Sequence, residues 1–369
     1  MRLHRIPVSA FVLCMAGLAA SQTVERLWAN RKAPWPIPVP AGLDTTRAMT
    51  DTSKNPYLTV YQPSSNANGA AVVIMPGGGY EHLSPIREGR NVAIKFNGYG
   101  VTGFVLRYRY GVVAGNAPFQ HPIEMWDAQR SVRWVRANAA RFGIDPRRVG
   151  VIGFSAGGHL ASTVATHFDT GNPDSTSINY YPGVKDSVDA VSCRPDFQIL
   201  GYPVINMDSS IAHAGSRTAL LGTNPSQALL RLLSNERQVT ANTPPGFVFA
   251  ARNDATVPPQ NSRAYADSLR KKVGIGDTLF VATGGHGFGL ADGQDGAVND
   301  ASAKVWPDTA RAWLQKRGFL TTTVIFPGQA GKVSSKSYLK GSQKNLLDAL
   351  GRNSKQPHGI RVKTLPSVK

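Results

Sequence analysis

The sequence predicts an α/β fold: a mostly parallel, doubly wound sheet with helices on both faces. Short apolar runs alternate with helical stretches from residue 57 to about residue 320. Several runs, such as Ala70–Met75 and Arg148–Phe154, have no polar alternation, as expected of strands covered on both sides. Glycine- and aspartate-rich turns follow the C-terminal ends of these runs, where parallel sheets place their sites.

The elements follow in order. Residues 22–56 are polar and proline-rich (Pro34, Pro36, Pro38, Pro40) and read as an extended lead-in. Tyr57–Tyr61 alternates like an outer strand. Ala70–Met75 is a buried strand that runs into Pro76-Gly77-Gly78-Gly79-Tyr80. A helix is expected at about 86–97 and a strand over Val101–Tyr108. Between 122 and 141, Met125, Ala128, Val132, Val135 and Ala139 recur every three or four residues, which predicts a helix with one face on the sheet. Arg148–Phe154 is the central strand, and a small-residue helix follows it. After a Gly/Asp/Ser/Asn-rich insertion at about 169–190, strands are expected at Phe197–Tyr202, Gly246–Ala251 and Thr278–Ala282. Helices are expected near 225–234, 260–273 and 306–317. The periodic pattern ends near Leu320, and 321–369 reads as a basic, disordered tail with one short helical stretch at about 342–350.

The chemistry begins at Gly153-Phe154-Ser155-Ala156-Gly157. A serine between a buried strand and a small-residue helix sits on a sharp turn, with glycines two residues either side to make room. The turn lifts the hydroxyl above the sheet at a helix N-terminus. A serine nucleophile needs a base, and the base needs an acid to hold its tautomer. Asp254 lies just past the 246–251 strand on a loop closed by Val257-Pro258, and suits the acid. His286, in Gly284-Gly285-His286-Gly287, lies on a loop after the last strand and suits the base. The order Ser155, Asp254, His286 is that of G-x-S-x-G hydrolases. Oxyanion donors are expected from the backbone N–H groups of Ala156 and of Gly78 and Gly79. Tyr80, next to that glycine loop, is expected to lean over the acyl group. His159, one turn into the elbow helix, reads as a packed or capping residue, and His121 as a turn residue before Pro122.

Other chemistries fit less well. The glycine loop lacks the Gly-Lys-Ser/Thr of a phosphate cradle, and Gly98-x-Gly100-x-x-Gly103 precedes a strand instead of following one. There is no H-E-x-x-H, and once residues 1–21 are removed Cys193 is the single cysteine, so neither a metal nor another cofactor is expected.

Together these segments resemble the bacterial acetylxylan-esterase-like branch of the α/β-hydrolases, related to the carboxylesterase, lipase and prolyl-oligopeptidase folds. The resemblance rests on Met75–Tyr80, Arg87-Glu88-Gly89, Asp145–Gly150, Gly153–Ser162, Leu233-Ser234-Asn235-Glu236, the Asp254 loop and Gly285–Leu290, and covers about 57–318. It implies an α/β-hydrolase fold and hydrolysis of short acyl esters, acetyl above all, on xylan or related plant polysaccharides through an acyl-enzyme. The sequence departs from the pattern at Arg87, where the resemblance leads one to expect histidine. General short-chain carboxylesterase and prolyl-oligopeptidase-like peptidase remain the alternatives, although nothing here is long enough for such a peptidase's usual extra domain. A non-catalytic binding module fits poorly with an intact set of three.

Arg2, Arg5, the apolar stretch Ile6–Ala20 and Ala19-Ala20-Ser21 read as a secretory signal peptide over 1–21, so a periplasmic or secreted protein is expected. No other stretch is long and apolar enough to span a membrane. The net charge is +18, of which +8 lies in 328–369 and +2 in the leader, leaving +8 spread over 22–327 without a basic stripe. Tyr338 is the tail's only aromatic, so a nucleic-acid surface is not expected. The basic tail suits attraction to an anionic surface polymer.

Overall fold

The computed structural model describes residues 23–28, 56–111, 119–168, 186–208 and 210–321. The expected signal peptide, the proline-rich part of the lead-in, most of the 169–190 insertion and the tail beyond 321 lie outside these residues.

Eight strands form one sheet: β1 (Thr23–Arg26), β2 (Tyr57–Tyr61), β3 (Ala71–Met75), β4 (Thr102–Arg107), β5 (Val149–Phe154), β6 (Gln198–Gly201), β7 (Gly246–Ala251) and β8 (Gly276–Val281). Their spatial order is β1-β2-β4-β3-β5-β6-β7-β8. β1 and β2 pair antiparallel and β2 is antiparallel to β4, whereas every pair from β4 to β8 is parallel. β1 is a strand inside what the sequence suggested was an extended lead-in. Its residues are mostly exposed, so TVER carries no burial pattern to reveal it.

The helices are α1 (Asn91–Asn97), entered through a π-helical turn at Ile86–Arg90, α2 (Ile123–Ala137), α3 (Ser155–Thr166), α4 (Ala214–Leu221), α5 (Gln227–Leu232), α6 (Gln260–Val273) and α7 (Trp306–Lys316). The sheet has a core on each face. One packs Met125, Val132 and Val135 of α2, Leu160 and Val164 of α3 and Leu269 of α6 against Val73, Met75 and Val151. The other packs Val92 and Phe96 of α1 and Trp306 and Leu314 of α7 against Ile74, Ile152 and Phe249. Burial on both faces is why β3, β5 and β7 read as unbroken apolar runs.

β3 and β5 are adjacent and in register, with Met75 beside Gly153. The glycine loop and the serine turn therefore leave the sheet side by side. β7 and β8 carry the Asp254 and His286 loops out at the same end. α4 had no counterpart in the sequence reading; only Ser216, Leu220 and Leu221 of its eight residues are buried, too little for a clear period.

Candidate active site

β5 ends at Phe154, still extended, and α3 begins at once with Ser155. Ser155 is held at φ +52°, in the left-handed region, which is costly for a residue with a Cβ. The glycines make the turn possible by sterics. A Cβ at Gly153 would lie 2.2 Å from the Gly157 carbonyl oxygen, and one at Gly157 would lie 2.1 Å from the Met75 oxygen. The helix thus sits directly on the end of β3, and its N-terminus faces the space above the sheet.

The structure brings the three residues expected from the sequence into one chain of hydrogen bonds. His286 Nε2 is 2.8 Å from Ser155 Oγ, and His286 Nδ1 is 2.7 Å from Asp254 Oδ2. The other Asp254 oxygen accepts the backbone N–H groups of Thr256 and Val257, both at 2.9 Å. The Asp254 side chain is fully buried, whereas that of His286 keeps 18 % of its surface open. A carboxylate fixed on three sides orients the ring, so Nδ1 carries the proton and Nε2 accepts one from the serine hydroxyl.

The glycine loop lies against this chain. A Cβ at Gly77 would be 2.9 Å from Ser155 Cβ, so only glycine lets the loop approach so closely. Gly78 and Gly79 have φ of +136° and +68°. The Gly78 carbonyl turns back to accept the N–H groups of Glu81 and His82. Among the described residues, the N–H groups of Gly78, Gly79 and Ala156 donate to no acceptor. They remain free to donate, as donors to a developing negative oxygen must be.

A serine, base and acid in this hydrogen-bonded order form a candidate hydrolase site on this sheet. A family model described as BD-FAE matches residues 58–269, more than half of the chain. This chain belongs to the BD-FAE family. It is 35% identical over 243 residues to an endo-1,4-beta-xylanase B of Butyrivibrio fibrisolvens, covering 65% of this chain and 35% of that protein. It is 32% identical over 229 residues to an acetylxylan esterase of Xylanibacter ruminicola, covering 61% of this chain and 42% of that protein. The chain thus spans well under half the length of these two relatives. Among solved structures, an acetyl ester-xyloside bifunctional hydrolase from Caldicellulosiruptor lactoaceticus superposes with a TM-score of 0.68 at 36% identity. That match covers 83% of this chain and all of the other. The fold is that of the α/β-hydrolases.

One placement in this BD-FAE chain corrects the sequence reading. Tyr80 does not lean over the acyl site. It is fully buried, its backbone at φ +64° turns the ring into the core, and its hydroxyl is 2.8 Å from His159 Nδ1. The ring packs edge-on to Tyr108 and to His159. His159 in turn reaches the Leu233 carbonyl through Nε2 at 2.8 Å, so that nitrogen carries the proton and Tyr80 donates to the other. Burial holds the His159 imidazole down at about 4. His159 is therefore a neutral strut that ties the serine helix to Tyr80 and to the Leu233 carbonyl.

The Leu233–Glu236 segment acquires a role the sequence did not disclose. Asn235 Nδ2 reaches the His159 carbonyl and the hydroxyls of Ser162 and Thr163, bracing α3 from the side. Three further residues bear on the His286 loop. Tyr202, held at φ +35° just after β6, sets its ring 5.1 Å from the His286 ring. Asn253 Oδ1 accepts the Gly285 N–H at 3.0 Å, and Trp306 Nε1 donates to the Gly289 carbonyl at 2.8 Å. All three are far in sequence from the groups they hold, except that Asn253 adjoins Asp254, the one local hint available.

Proposed function

We propose that this chain is an exported serine carboxylic-ester hydrolase that removes acetyl groups from xylan or related plant polysaccharide fragments through an acyl-enzyme. The observation that carries the reading is the continuous Asp254–His286–Ser155 hydrogen-bond chain beside unpartnered N–H donors. The substrate class is supported by the acetylxylan esterase and the acetyl ester-xyloside hydrolase among its relatives. Export is supported by the charged start, apolar stretch and small-residue end of residues 1–21.

In this mechanism His286 Nε2 takes the Ser155 proton as Oγ bonds to the ester carbonyl carbon. The carbonyl oxygen becomes anionic and accepts from Gly78, Gly79 and Ala156. The C–O bond to the sugar breaks, and His286 returns the proton to the departing sugar hydroxyl. Water, deprotonated by the same nitrogen, then attacks the acetyl-serine, and Ser155 leaves with the proton to regenerate the free enzyme. Asp254 keeps its hydrogen bond to Nδ1 and steadies the imidazolium formed at each step.

The test is acetate release from acetylated xylan, measured beside nitrophenyl esters of increasing chain length. Acetate should be released from the polymer, and kcat/KM on the esters should peak at acetyl or propionyl. Ser155→Ala should lower both activities about 10⁴-fold or more while the protein stays folded. A Ser155→Ala protein within tenfold of the parent would refute the mechanism. A peak at octanoyl with no acetate from xylan would refute the substrate.

A further inference from the structure

Arg87-Glu88-Gly89 was the part of the motif set without an evident task. Glu88 lies in the π-helical turn Ile86–Arg90, a rare geometry frequent at functional sites. It is 3 % exposed, yet both of its carboxylate oxygens are occupied. Oε2 accepts the Gly77 N–H at 2.8 Å, and Oε1 accepts the Tyr202 hydroxyl at 2.8 Å. The Tyr202 oxygen accepts the Gly289 N–H at 3.0 Å. One side chain thus joins the loop that carries the oxyanion donors to the loop that carries His286, with Tyr202 as the relay and its ring against the imidazole.

We infer that Glu88 is the positioning residue that fixes the glycine loop and the His286 loop relative to each other, so that base and oxyanion donors are correctly placed at the same moment. This rests on the serine-esterase reading above.

The direction of the protons supports it. Gly289 N–H donates to Tyr202, Tyr202 O–H donates to Glu88, and Gly77 N–H donates to Glu88, so the carboxylate form satisfies every donor. A protonated Glu88 would have to donate to the Tyr202 oxygen, leaving the tyrosine proton without an acceptor. Burial pushes the Glu88 carboxyl up and leaves it raised, although the bonds from Tyr202 and Gly77 and the neighbouring His286 and Arg87 pull against it. Arg87 and its neighbours hold the same loop from the other side. Arg87 Nη1 donates to the Gly287 carbonyl at 3.3 Å, while Arg90 Nη2 and Asn91 Nδ2 reach Asp295 Oδ2 at 3.0 and 2.8 Å. A Cβ at Gly89 would lie 2.8 Å from Val105 Cγ1, so glycine lets the turn seat close on β4.

The experiment compares Glu88→Gln, Tyr202→Phe and the double variant, with Ser155→Ala alongside. An amide offers one acceptor oxygen, so Glu88→Gln cannot serve Gly77 and Tyr202 together. Tyr202→Phe removes the relay and leaves the Gly77 bond intact. kcat and KM on nitrophenyl acetate are normalised to active sites counted by the endpoint of labelling with a serine-reactive phosphonate. This separates poorly placed groups from lost protein. Misplacing reacting groups by about 1 Å costs on the order of 10²-fold. We therefore expect kcat per site to fall roughly 30-fold in Glu88→Gln and roughly tenfold in Tyr202→Phe, with KM within about threefold. The double variant should be within about threefold of Glu88→Gln, because both act through one relay. Wild-type kcat per site in Tyr202→Phe, or losses that multiply in the double variant, would overturn the inference, and the tyrosine variant decides alone if Glu88→Gln does not fold. Activity surviving in Ser155→Ala would instead remove the serine-esterase reading and this inference with it. An inactive Ser155→Ala beside fully active Glu88→Gln would remove the inference alone.

Discussion

The serine turn and the His286 loop meet at one hydrogen bond but are built in opposite ways. The turn from β5 into α3 is fixed by its own sequence: Gly153 and Gly157 leave no room for a Cβ, and Ser155 is forced to a positive φ between them. The His286 loop has glycines too, yet Gly285 and Gly287 have nothing within 4 Å of a built Cβ and serve only to permit φ of +66° and +71°. Its position comes from Asn253, Tyr202, Arg87 and Trp306, contributed by distant parts of the chain. A nucleophile can thus be placed by local sterics, whereas a base carried on a long loop has to be tied down by long-range bonds.

The sharpest way to break this comparison is to put the same methyl group in both places. Gly157→Ala drives a Cβ to 2.1 Å from the Met75 oxygen and 2.4 Å from the Pro76 oxygen, backbone atoms that cannot move aside. It should cost about 3 kcal/mol or more, seen as a large drop in melting temperature or as insoluble protein. Gly285→Ala meets no neighbour and pays only for its left-handed backbone, about 1–2 kcal/mol, with the protein still folded. Equal melting temperatures for the two variants would break the distinction.

The second test uses pH, because the serine helix is braced through its own buried histidine, whereas the side chains that bond the His286 loop directly are Asn, Tyr, Arg and Trp. His159 titrates near 6.5 when unfolded and at about 4 when folded, since burial disfavours its charged form. The unfolded chain then binds more protons in that window, so stability is intact above about pH 6.5 and declines as pH falls toward 4. Full linkage is about 3 kcal/mol. His121, lowered by burial to about 3, steepens the same decline and carries it further. Replacing His159 with glutamine should flatten part of the slope in melting temperature against pH between 6.5 and 4. An unchanged slope would mean that His159 is not the strut described.

The smallest effect is expected at the loop. Trp306→Phe removes the donor to the Gly289 carbonyl but keeps an aromatic ring beside Phe249, on which the indole stacks at 4.3 Å and nearly parallel. One lost hydrogen bond of this kind is worth about 1 kcal/mol. Denaturant unfolding should show a loss of that size, with kcat on a short nitrophenyl ester reduced about threefold to tenfold. A larger loss of stability than in Gly157→Ala would reverse the ranking of the two regions.

The sequence by itself determined the strand–helix alternation of the parallel core, the serine turn and the three residues that meet above it. Those features rest on local causes: burial on both faces makes unbroken apolar strands, a crowded turn demands glycine, and sites gather at the C-terminal ends of parallel strands. Only the tertiary structure decided that Thr23–Arg26 adds an edge strand, because exposed strand residues carry no apolar signal. It alone turned Tyr80 away from the acyl site, since Tyr80, like the glycines before it, adopts a left-handed backbone, and that reverses where its ring points. It also decided that Glu88 and Tyr202, 114 residues apart, share one hydrogen bond. A buried carboxylate shows in sequence only as an acid in a helix start, because its partners are backbone and side-chain donors that the fold, not the neighbouring residues, brings within reach.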